Sequence, residues 1–77
     1  MEIRMAVSSA FLILRLGLEL SQRDFGARIG CPRTYISKIE NLGVMPSTTQ
    51  TLRILDVFGI SPLKFFQLID QLLAAEI

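Results

Sequence analysis

Histidine is absent from the 77 residues, and cysteine occurs once, as Cys31. The first absence removes the commonest general base and the commonest metal ligand. The second rules out an internal disulfide. Scattered carboxylates and one thiol supply neither a zinc site nor a nucleophile–base pair. Neither an enzyme nor a metal- or cofactor-dependent protein is expected. Charge is also scarce: 19% of residues carry it, 8 basic against 7 acidic, for a net charge of +1. That balance exerts no strong pull on nucleic acid or on an acidic membrane. Apolar residues make up 51% of the chain, which excludes a disordered polymer. The length confines the chain to one small domain spanning 1–77.

A long hydrophobic run is missing too. Met5 to Leu14 is apolar, but Arg15 interrupts it, well short of the roughly 20 residues a membrane span needs. The head before it carries Glu2 beside Arg4, and no small-x-small cleavage site follows. The expectation is therefore no membrane partner, a cytoplasmic location and a reduced Cys31.

What is present is helical punctuation. Glu2 to Gly17 contains no proline and no internal glycine, and predicts a first helix. Ser21 with Asp24 forms a capping box that opens a second helix, whose buried stripe is Phe25 and Ile29 and whose stop is Gly30. Pro32 opens a third helix, since its fixed φ suits the first turn; it runs to about Asn41. Leu42–Pro46 reads as a loop around Gly43. Ser47 with Gln50 caps a fourth helix, which carries Leu52, Leu55 and Phe58 and ends at Gly59. Ser61-Pro62 starts a fifth, over 62–77. No alternating strand pattern and no internal repeat appear.

The third helix has two unlike faces. At about 100° per residue, Arg33, Thr34, Ser37 and Lys38 share an arc of about 140°, while Tyr35, Ile36 and Ile39 occupy the opposite side. Taken alone, this is an ordinary amphipathic surface helix. Its setting adds to that, because it follows a short capped helix across a turn of about three residues. That is a helix-turn-helix, whose second helix can enter the major groove of DNA. Half of the basic side chains, Arg23, Arg28, Arg33 and Lys38, fall in residues 21–41 against only Asp24 and Glu40.

The stretch from Leu20-Ser21-Gln22 through Gly26 and Gly30 to Ile36-Ser37-Lys38-Ile39-Glu40-Asn41 closely resembles the Cro/C1 repressor-like (XRE-type) helix-turn-helix family. The likeness continues through Pro46-Ser47 and Gly59-Ile60-Ser61, and covers roughly residues 9–66. It implies an all-α, five-helix, lambda-repressor-like domain with a central helix-turn-helix that binds double-stranded DNA as a transcription regulator. By resemblance, Gln22 bonds a phosphate and braces the recognition helix, and Arg33, Thr34, Ser37 and Lys38 stand where the family reads bases. Arg33 or Lys38 can donate to guanine O6 and N7, and the Thr34 methyl can meet a thymine methyl; which touches base and which phosphate stays open. Arg23 and Asn41 are assigned to phosphate. Arg28 stands equally well as a solvated charge. Arg15 and Glu40 match a family salt bridge between the first and third helices. Gly26 lets the two helices of the motif approach, and Cys31 fills a small apolar turn position.

Two departures bear on partners. The loop Leu42-Gly43-Val44-Met45 lacks the basic residues the family places there, and Leu12, Ile13 and Leu16 stand where its first helix is usually charged. The fifth helix is apolar in the same way, and Phe65, Phe66, Ile69, Leu72 and Leu73 are expected to form a homodimer surface. Two copies would set two recognition helices about 34 Å apart on DNA. The plainer alternative lays the fifth helix over the first within one chain. The alternative function is a helix-turn-helix protein-interaction module, such as an antitoxin or a regulatory subunit, with a protein partner on the first or fifth helix.

Overall fold

A computed structural model describes residues 1–75 as five α-helices, with no strand among them. They are α1 (Ile3–Gly17), α2 (Gln22–Ile29), α3 (Arg33–Leu42), α4 (Thr48–Val57) and α5 (Pro62–Ala74). The fifth helix, expected over 62–77, ends at Ala74 with Ala75 as its cap, and residues 76 and 77 lie outside the described residues.

Side chains satisfy the free amides that begin three of these helices. Ser21 Oγ accepts from the Asp24 amide at 3.0 Å, and Ser47 Oγ accepts from the Gln50 amide at 3.0 Å. Glu2 caps α1, its carboxylate accepting from the Arg4 amide at 3.0 Å. Among the described residues both expected capping boxes are half formed, each with only the serine-to-amide bond; at Ser47 the Gln50 side chain is drawn away to Cys31 and Arg53.

Three of the helix ends share one device. After α2, the Cys31 amide donates to Gly26 O at 2.8 Å and the Gly30 amide to Ala27 O at 3.4 Å; after α4, Ile60 donates to Leu55 O at 2.9 Å and Gly59 to Asp56 O at 3.1 Å. This paired closure needs a left-handed residue, supplied by Gly30 at φ 72° and Gly59 at φ 66°. The same pair closes α1, where Leu20 donates to Arg15 O and Glu19 to Leu16 O. There the left-handed residue is Glu19, at φ 58°. Gly17 is the last helical residue, yet the chain reverses two positions later, on a residue whose Cβ disfavours that conformation.

The core is drawn from all five helices: Ala10 and Phe11, Phe25 and Ile29, Ile36 and Ile39, Ile54 and Leu55, and Phe65. Phe25 stacks on Phe58 with ring centroids 4.7 Å apart. The α4 stripe is Thr51, Ile54 and Leu55, which leaves Leu52 exposed. One expectation is corrected at α5. Phe65 is no dimer-surface residue: it is 3% exposed and tilts against Phe11, with ring centroids 4.9 Å apart. The helix lies along α1, and Leu68, Ile69 and Leu72 follow Phe65 inward to pack against the core. Phe66, one position further round, is 47% exposed.

Candidate nucleic-acid interface

The spacing of α2 and α3 depends on one small residue. A Cβ on Gly26 would lie 2.5 Å from the backbone oxygen of Cys31 and 3.3 Å from Ile36 Cγ1. The first distance is far inside van der Waals contact, and backbone cannot step aside. Glycine here lets the turn Gly30–Pro32 fold back onto α2, with Ile36 of α3 pressed against the same point.

The orientation of α3 is held from α1. Arg15 Nε donates to Glu40 Oε2 at 2.7 Å and Arg15 Nη2 to Glu40 Oε1 at 2.9 Å, a two-pronged pair of the strong, planar kind. Arg15 Nη1 donates to Leu20 O at 2.9 Å. Gln22 Nε2 donates to Glu40 Oε1 at 3.1 Å. The two charged side chains are 12% and 3% exposed. The hydrogen bond to Glu40 raises the Arg15 pKa above its ordinary value, against the opposing effect of burial. The Arg15–Glu40 pair thus ties α3 to α1, to the α1–α2 turn and, through Gln22, to the start of α2.

With Ile36 and Ile39 in the core, the opposite side of α3 faces solvent. Arg33, Thr34, Lys38 and Asn41 are exposed and Ser37 is half-buried. Asn41 Nδ2 donates to Ser37 Oγ at 3.1 Å, one helical turn apart. Arg23 is exposed on the first turn of α2, while Gln22 is half-buried beside it. Among the described residues no ion pair engages Arg23, Arg33 or Lys38, so their charges are available to a ligand. The helix-turn-helix therefore presents hydrogen-bond donors on a convex helical ridge, backed by apolar packing and tied at one end by the Glu40 network. Its chemistry is recognition of an anionic, groove-bearing surface.

Two supports had no strong sequence signal. Arg53 of α4 donates from Nη2 to Ile29 O at 3.0 Å and from Nη1 to Gln50 Oε1 at 3.2 Å, so it satisfies a free carbonyl at the end of α2. Gln50 Nε2 in turn reaches Cys31 Sγ at 3.5 Å. Together they fasten the turn of the motif to α4. Both contacts join residues about twenty positions apart, and polar residues on an amphipathic helix offer no clue to such partners. Burial raises the pKa of Tyr35, on the α3 flank facing this turn, with Cys31 adding to the effect.

A short helix, a tight turn and a second helix with a free polar face define a DNA-reading helix-turn-helix protein. The helix-turn-helix family model matches residues 13–65, and the chain belongs to this family of Cro/C1-type DNA-binding transcription regulators. Solved structures of similar shape include the wild-type restriction-modification controller protein C.Esp1396I and a nucleoprotein complex of C.Esp1396I. Each has a TM-score of 0.81 and 24% sequence identity over 92% of this chain, and over 91% and 92% of the respective matched chains. At that identity the likeness is one of fold. Among curated proteins none matches.

Proposed function

We propose that this protein is a homodimeric, sequence-specific regulator of repressor type, acting on double-stranded DNA in the cytoplasm. The observation that carries the proposal is the exposed face of Arg33, Thr34 and Lys38 on a helix whose other side is sealed in the core. Arg33 and Lys38 donate to guanine edges or flanking phosphates, and Thr34 offers a methyl to thymine. Gln22 and Arg23, at the start of α2, take backbone phosphates, where exposed amides and helix polarity suit an anion. The nucleoprotein complex among the similar folds supports the same reading.

Dimerisation uses the outward stripe of α5. Leu63 and Phe66 are 66% and 47% exposed, and Leu73 lies two turns on from Phe66 on the same face. A pair of copies joined there presents two recognition helices to successive major-groove turns. Bound across a promoter, such a dimer excludes polymerase by occupying its site. No helix among the described residues is long and apolar enough to cross a membrane.

Selection of bound sequences from a random duplex pool tests this directly. The expected product is a palindrome whose half-sites are spaced by one helical turn. Recovery of no enriched sequence would sink the proposal.

The exposed apolar loop, with Leu42, Val44 and Met45 at 73%, 39% and 47%, favours a second reading, a protein-interaction module. Salt titration separates the two. A DNA binder loses affinity steeply as salt rises, and a protein adaptor binds no duplex even at low salt.

A further inference from the structure

The loop after the recognition helix is apolar, from Leu42 to Met45, yet it does not stand by itself. The chain turns at Gly43, with φ 68°, and a Cβ there would lie 3.8 Å from Arg4 Cβ and 4.0 Å from Arg4 Cδ. The aliphatic stem of Arg4, on the first turn of α1, therefore runs alongside the end of α3. Gly43 is two residues beyond Asn41, the last polar residue of the exposed face. Arg4 is itself exposed, and among the described residues its guanidinium enters no ion pair. Its backbone amide donates to the Glu2 carboxylate. Nothing in the core or in the cap of α1 requires the charge.

We infer that Arg4 is an additional DNA-phosphate contact, supplied by α1 beside the α3–α4 loop. This inference rests on the DNA-binding reading and extends its surface beyond the helix-turn-helix. The physical ground is placement. A duplex seated on Arg33, Thr34 and Lys38 runs its backbone past both ends of α3. At the α2 end, Arg23 offers a cation. At the Asn41 end, the loop offers only apolar side chains. The guanidinium carried by the Arg4 stem that lies beside Gly43 fills the gap with a flexible, permanently charged group able to pair with phosphate. The contact carries no base information, so it adds affinity without altering sequence preference.

The test compares the wild-type protein with Arg4→Gln and Arg4→Lys on two duplexes, the palindrome recovered by selection and a random sequence, across a salt series. Arg4→Gln is expected to weaken binding about tenfold per subunit at 0.1 M salt and to flatten the log–log salt slope by about 0.9 per bound subunit. The loss should be equal on both duplexes. Arg4→Lys should retain most of the affinity, and thermal melting of Arg4→Gln should match the wild type. An unchanged slope, or a loss confined to the palindrome, would overturn the role of Arg4 while leaving the DNA-binding reading intact. A wild-type protein that binds neither duplex at low salt overturns both.

Discussion

Arg33 stands on the first turn of α3 with its side chain in solvent and no acidic partner among the described residues. A guanidinium in that position can make a two-pronged contact with one guanine. Arg33→Ala is expected to cost about 1–3 kcal/mol on the selected operator and much less on random duplex, measured by gel shift at fixed salt. Equal losses on both would move Arg33 from base to phosphate. Glu19 makes a claim of a different kind. It holds φ 58° in a closure that Gly30 and Gly59 complete at the ends of two other helices. Glu19→Gly should relieve strain of about 1 kcal/mol, raising Tm by about 4–8 °C. A lower Tm on calorimetry would show that glycine's freedom in the unfolded chain outweighs that relief.

At the scale of elements, the Arg15–Glu40 pair decides how α3 sits. Glu40 is 3% exposed, and three side-chain donor contacts converge on its two oxygens. Glu40→Ala strands the Arg15 charge and should cost about 3–5 kcal/mol in urea denaturation, a large part of the whole stability of a chain this size. The double variant Arg15→Met with Glu40→Leu should recover much of that loss, since apolar replacement removes the desolvation penalty along with the attraction. A Glu40→Ala variant as stable as the wild type would show that the network holds nothing. Much of this layout was legible beforehand. Ser21, Gly30, Pro32, Ser47 and Pro62 mark helix ends through short-range chemistry, and each stands at or next to a boundary in the fold. The wiring of Arg53 to Ile29 O was not legible, because a surface arginine on α4 has the same local pattern whether or not a carbonyl waits across the gap.

For the whole molecule, two adjacent stripes on α5 take opposite roles. Phe65, Leu68 and Leu72 turn toward α1 and the core, while Leu63 and Phe66 face out. Phe66→Asp should leave the circular dichroism spectrum nearly unchanged while shifting sedimentation from dimer to monomer and removing the concentration dependence of the melt. Phe65→Asp, by contrast, should abolish cooperative folding, since it places a carboxylate in the core beside Phe11. A wild-type protein that sediments as a monomer at every concentration would remove the dimer from the proposed mechanism. The selected operator would then be expected to consist of single half-sites.

Local chemistry alone determined the number of helices, the boundaries of the first four to within a residue or two, and the polar ridge of Arg33, Thr34, Ser37 and Lys38. Each depends on neighbours within one or two turns, and a short window of sequence contains all of them. Packing decided the rest. It turned Phe65 inward and Phe66 outward, set Glu19 in the left-handed turn, and brought Arg4 against Gly43. A helix's periodicity records the angles between its own side chains. Which of those angles meets another helix is settled only when the helices dock and the most apolar volume leaves water together.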